Sequence, residues 1–75
     1  MNMQKKIGLR IKEWRAKKKD LTQEKLAWDA GINRTYMNHI ENGRKNISIN
    51  VLEKIIKALG VSVSEFFDDK IFKKK

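Results

Sequence analysis

Apolar residues along this chain recur mostly at intervals of three and four, the period of a helix with one buried face. Ile7, Ile11 and Trp14 fall at i, i+4 and i+7 and place a first helix roughly from Gln4 to Lys18. Gly8 lies inside that run, where it lowers helix propensity and points to the close approach of another backbone. Leu26, Ala27 and Ala30 mark the apolar side of a second helix starting near Gln23. Thr22 is its N-cap, and Glu24 sits in the first turn, where the helix dipole favours an anion. Gly31 comes next, where a left-handed C-terminal turn is expected. A third helix, N-capped by Asn33, is apolar at Tyr36, Met37 and Ile40 and ends before Gly43.

The polar joint "RKNISIN" carries one apolar plug, Ile47. A fourth helix, capped by Ser48, runs from about Ile49 to Leu59 and repeats Leu52, Ile55, Ile56 and Leu59 at three and four. Gly60 ends it. Ser62 to Glu65, "SVSE", is a capping box for a fifth helix with Phe66 and Phe67 early in it. If that helix continues through Ile71, Phe66 and Phe67 point about 100° apart. Phe66 then seals the core, while Phe67 and Ile71, one turn apart, form an exposed apolar patch expected to be a homodimer contact. The short alternation in "ISINVL" is outweighed by the helical period after it. The expectation is one compact, all-α, five-helix domain over residues 1–75, with a basic tail at 70–75.

Two short helices joined by a brief turn containing Gly form a helix-turn-helix, here at about 22–42. Ala27 lies where the two helices cross and Gly31 where the chain must turn, at positive φ. Leu26, Ala30, Ile32, Met37 and Ile40 hold the unit on the core. The outer face of the third helix is unusual. A face that needs only to be soluble can use Glu and Lys; this one shows Asn33, Arg34, Thr35, Asn38 and His39. Arg can bind guanine O6 and N7 in a bidentate way, Asn can do so at adenine N6 and N7, and the Thr methyl can touch a thymine methyl. These five are the candidate base contacts. Gln23, at a helix N-terminus with free backbone N–H groups, is suited to a phosphate. Tyr36 either packs on the domain or lies along a DNA backbone. Trp14 is expected in the core. Trp28 is expected to pack under helix 1 or a neighbour.

The net charge is +9, from 18 Lys and Arg against 9 Asp and Glu, which favours a polyanionic partner. The excess is uneven: +6 in residues 1–20, +1 in 21–45 and +2 in 46–75. The basic surplus thus lies on the first helix and the tail rather than on the candidate reading helix. With no Cys and one His, disulfides, thiolate metal sites and a His-based metal cluster are not expected. Neither a secretory signal nor a membrane-length apolar run is visible. An enzyme is disfavoured, because no nucleophile–base set, metal cluster or phosphate loop stands out. Asp68 and Asp69 are adjacent and point in different directions on a helix. RNA readers usually display stacking aromatics, and no helix pairs a large apolar face with a basic one open to lipid.

The runs "LTQEKLAWDAGI", "NRTYMNHIENG" and "VLEKIIKALGVSVSEFF" resemble the Cro/XRE-like phage-repressor helix-turn-helix proteins over about residues 5–69. The "RTY" opening helix 3 is most similar to the short controller proteins of restriction–modification operons. The resemblance implies a lambda-repressor-like fold and a homodimer on a two-fold-symmetric operator, with a cytoplasmic location as a bacterial or phage nucleoid-associated protein. By that resemblance Gln23 binds a phosphate, Arg34, Thr35 and His39 face base edges with Asn33 and Asn38 beside them, and Asn42 and Arg44 bind phosphates beyond helix 3. Tyr36 joins the phosphate contacts, and Arg15 and Glu41 match a buried ion pair linking helices 1 and 3. The chain departs from the pattern at "KKKDLT", where the usual Gly before helix 2 is absent and the segment is one residue longer. The expected function is sequence-specific binding of double-stranded DNA as a transcriptional regulator, with no cofactor, membrane or small-molecule effector. The alternative is an antitoxin-like protein that binds a toxin and its own promoter.

Overall fold

The computed structural model describes residues 1–73. It contains five helices, α1 (Met3–Lys17), α2 (Gln23–Ala30), α3 (Arg34–Glu41), α4 (Ile49–Leu59) and α5 (Val63–Phe67), followed by a 3-10 turn at Lys70–Phe72. Among the described residues there is no strand, and no helix is long and apolar enough to cross a membrane.

Each helix starts where a short polar side chain can satisfy an orphan backbone N–H. Asn2, Thr22, Asn33, Ser48 and Ser62 each accept a hydrogen bond from the backbone three residues on. The Ser62–Glu65 capping box closes in both directions. The backbone N–H of Ser62, with a smaller contribution from its hydroxyl, holds the Glu65 carboxyl below its ordinary pKa. Gly31 takes the left-handed conformation at φ 71°, as the turn requires. Before α2, where no Gly stands, Asp20 adopts φ 64°. Asp tolerates the left-handed region better than most residues, so the longer joint still turns.

Ile7, Ile11, Leu26, Ala27, Ala30, Met37, Ile40, Ile55, Ile56, Leu59 and Phe66 form the core. α2 packs on both α3 and α4, while α1 packs on α3. Gly8 makes the α1–α3 crossing possible: a Cβ there would lie 2.6 Å from the carbonyl oxygens of both Ile40 and Glu41.

Three expectations change. Trp14 is only half-buried, with Lys17 Nζ 4.6 Å and the Arg10 guanidinium 5.2 Å from its ring centre. The core side of α1 is completed instead by Arg10, 4% exposed. Trp28 packs under nothing; it is 81% exposed, because α2 turns Leu26, Ala27 and Ala30 inward and leaves position 28 on its outer side. Finally, the last helix stops at Phe67, so Ile71 is not one turn along from it. Arg10 explains the stop. Its guanidinium donates to the carbonyls of Phe66 (2.6 Å), Glu65 (2.9 Å) and Asp68 (3.3 Å), taking up the orphan acceptors of the helix end. Asp69 then extends, and its side chain caps Ile71 to begin the 3-10 turn. Phe66 is fully buried, as expected, and packs edge-on against Phe67 with ring centres 5.0 Å apart. Of the basic tail, Lys74 and Lys75 lie outside the described residues.

Candidate nucleic-acid interface

The candidate reading face is built on α3 and braced by α1 and α2. Its anchor is Glu41, 2% exposed at the end of α3. An unpaired buried carboxylate would be strongly unfavourable. Arg15 of α1 reaches across with a forked pair of bonds, Nε to Oε2 at 2.9 Å and Nη2 to Oε1 at 3.0 Å. Gln23 of α2 donates a third bond to Oε1 at 3.1 Å. The expected Arg15–Glu41 pair is therefore present, and it ties three helices to one carboxylate.

The network continues outward over the surface. Asn38 donates to Gln23 Oε1 at 3.4 Å, a long bond. Asn42 caps the end of α3 and donates from Nδ2 to the Asn38 carbonyl at 2.9 Å and to Asn38 Oδ1 at 3.3 Å. Lys12 of α1 then donates to Asn42 Oδ1 at 3.4 Å. At the other end of α3, Asn33 Oδ1 accepts from the backbone of Tyr36 at 2.7 Å.

These bonds divide the expected site residues into two sets. Asn33, Asn38, Asn42 and Gln23 have side-chain acceptors or donors engaged within the protein. A bidentate adenine contact needs both the donor and the acceptor of one Asn amide. Asn33 offers only its donor while it caps α3, and Asn38 must give up two partners. Arg34 and Thr35 are exposed and make no side-chain hydrogen bond, and their functional groups face solvent. Gln23, Arg34, Thr35, Asn38 and His39 line a depression of about 340 Å³. A second, of about 470 Å³, is lined by Asn33, Thr35, Tyr36, His39 and Lys45. Thr35 and His39 border both, so they form the ridge between them. His39 is half-buried, and its Nδ1 has no hydrogen-bond partner. Tyr36 is half-buried against the core and its hydroxyl donates to the Asn46 carbonyl at 3.4 Å. Packing and a backbone contact are compatible for it. Arg44 is exposed in the joint after α3.

Sequence reasoning did not single out Lys12 or Arg10. For Arg10 a signal existed: it lies three residues after Ile7 and four before Trp14, on the inward stripe. Lys12 carried no signal that set it apart from its neighbours Lys17 to Lys19.

The helix-turn-helix family profile matches residues 11–66 of the sequence. The control protein C.MunI of Mycoplasma sp is 44% identical over 64 residues, covering 85% of this chain and 86% of that protein. The control protein C.BamHI of Bacillus amyloliquefaciens is 40% identical over 62 residues, 83% of this chain and 76% of that one. The solved structure of C.Esp1396I bound to a 25 base pair operator site aligns with TM-score 0.82 and 38% identity, over 91% of this chain and 88% of that one.

Proposed function

Because the chain belongs to the Cro/XRE-type helix-turn-helix family, we propose that it is a sequence-specific, double-stranded-DNA-binding transcriptional regulator of the restriction–modification controller kind. The observation that carries the reading is the division within the face of α3. Arg34 and Thr35 are presented to solvent, with half-buried His39 beside them, on a helix whose position is held by the Arg15–Gln23–Glu41 network. Free polar groups on a rigid element are what base-edge recognition needs. In this reading Arg34 and Thr35 contact base edges, with His39 one turn on. Asn33 and Asn38 hold their neighbours in place and contact the groove only with their remaining groups. Gln23 at the α2 N-terminus, Tyr36 and Arg44 take phosphates.

One such unit touches few base pairs, so the regulator acts as a two-fold homodimer that places two recognition helices about one DNA turn apart, ~34 Å. The apolar groove on α4 and α5 suits the dimer contact. Ile49, Leu52, Ile56, Val63 and Phe67 line it, with Glu53 at the edge, and Ile49 is 85% exposed. Phe67 lines this groove, which supports its assignment to the dimer contact, while Ile71 is not among the side chains that line it.

Selection from random duplexes followed by fluorescence anisotropy tests the reading. A single two-fold-symmetric sequence should emerge. Arg34→Ala should weaken its binding by about 1–3 kcal/mol and relax preference at one base pair. Arg44→Ala should weaken all duplexes alike. Equal weakening on selected and random DNA for Arg34→Ala would remove Arg34 from the reading set, and selection without enrichment would remove the regulator assignment.

A further inference from the structure

Most of the net charge lies away from the recognition helix, with +6 of the total +9 in residues 1–20. The fold brings part of that charge back to the site. α1 runs beside the C-terminal end of α3, and its Lys5, Leu9 and Lys12 stand in one row along it. With Met1, Glu41 and Asn42 they line a shallow cavity of about 170 Å³. Lys5 lies so close to Gly43 that a Cβ there would sit 2.6 Å from its Cγ. The Gln4 side-chain amide bonds Asn46, in the joint that also carries Arg44 and Lys45. Leading from α3 into this joint, Asn42 is not a free phosphate donor. Its Nδ2 is held by Asn38, and its Oδ1 faces outward and accepts from Lys12. An ammonium has three donors, so Lys12 keeps two for another acceptor. The adjacent acid does not cancel this charge, because Glu41 is buried and neutralised by Arg15.

We propose that Lys5 and Lys12 form a second phosphate-binding ridge, with Asn42 orienting the Lys12 ammonium, so that α1 grips the DNA backbone alongside the end of the recognition helix. The proposal rests on the regulator reading above. The phosphate bond expected of Asn42 from the family resemblance is then made through Lys12, and Asn42 is a positioning residue.

The test measures binding of the selected duplex across a salt series for wild type, Lys5→Gln/Lys12→Gln, and Lys54→Gln/Lys57→Gln. The last pair removes the same charge from exposed positions on α4. For the α1 pair, the plot of log K against log salt should flatten by about 0.9 for each phosphate no longer neutralised, two per protomer. The α4 pair should flatten it by less than half as much. Asn42→Ala should flatten the slope in the wild type but add nothing in a Lys12→Gln background. Ethylation interference gives a second readout: phosphates whose modification blocks wild type but not Lys12→Gln should lie beside the end of α3. Equal flattening by the two lysine pairs would mean diffuse attraction and would overturn the ridge, as would an unchanged slope for the α1 pair. A wild type that prefers no duplex would instead bring down the regulator reading itself.

Discussion

The α1–α3 crossing is held open by a missing side chain, and adding one methyl group at Gly8 pits two effects of known size against each other. In favour of Gly8→Ala, replacing Gly in the middle of a helix stabilises by about 0.5–1 kcal/mol. Against it, the new Cβ would lie 2.6 Å from the carbonyl oxygens of Ile40 and Glu41 and 2.9 Å from the Glu41 carbonyl carbon, where ordinary contact begins at 3.4 Å. None of these atoms is the end of a flexible side chain. The Ile40 carbonyl also accepts from the backbone N–H of Gly43, so α3 cannot simply bend its end away. Overpacking of this kind typically destabilises by about 1–3 kcal/mol, and backbone atoms on the receiving side put Gly8 at the upper end of that range. The steric effect wins, with a net destabilisation of about 1–2 kcal/mol. In a domain of this size that lowers the melting temperature by roughly 5–15 °C. Circular dichroism melts and urea titrations at one protein concentration measure it. DNA affinity should fall as well under conditions where the variant is fully folded, because Arg15–Glu41 and Lys12–Asn42 both span the crossing. A Gly8→Ala protein that melts at or above wild type would show that helix propensity dominates and that the crossing is looser than described.

Ala27→Leu places three extra carbons where α2 is fully enclosed and should destabilise by about 1–3 kcal/mol; a melt within a degree of wild type would refute the crossing there. Arg15→Met leaves the Glu41 carboxylate buried and should destabilise by about 3–5 kcal/mol, less if Gln23 and water compensate, and adding Glu41→Gln should recover part of that stability. The recovery, read by urea titration, separates the charge from the packing of the Arg stem. Because folding lowers the Glu65 pKa, its contribution is present at neutral pH and is lost as pH falls through the depressed folded value. Wild type should therefore melt above Glu65→Gln at pH 7, with the gap closing in acid; a gap constant with pH would mean that the charge of the capping box is irrelevant. Val63→Asp and Ile49→Asp should convert dimer to folded monomer in sedimentation at micromolar concentration, while Ile71→Asp should leave the dimer intact.

Local chemistry made most of the framework legible. The N-caps at Thr22, Asn33, Ser48 and Ser62 and the turns at Gly31 and Gly60 were readable because each depends on a side chain or a missing Cβ acting within four residues. Ala27, Leu26 and Met37 were readable from spacing. What escaped were effects that cross between distant segments. The end of α5 is set by Arg10, which meets Phe66 at a separation of 56 residues, so local pattern alone extended the helix to Ile71. Trp28 was expected to pack under helix 1 or a neighbour, whereas no distant segment reaches the outer side of α2 on which it stands, and it stays exposed. At the site, residue type pointed to Asn33 and Asn38 as adenine readers. Only the hydrogen bonds show that their amides are engaged within the protein.

That engagement gives the recognition surface a mechanical property. Glu41 sits where α1, α2 and α3 converge, and burial obliges it to keep its donors. Arg15 and Gln23 must therefore stay in reach, which fixes α1 and the start of α2 against the end of α3. From Gln23 the bonds run through Asn38 and Asn42 to Lys12, so the groups proposed to hold phosphate are linked to the same carboxylate. Arg34 and Thr35 stand outside this chain and remain free to choose rotamers. The backbone grip is thus rigid and the base contacts are adjustable. A substitution among the free groups should change which sequence is bound while leaving the melting temperature alone. A substitution within the linked set should weaken all sequences and the fold together.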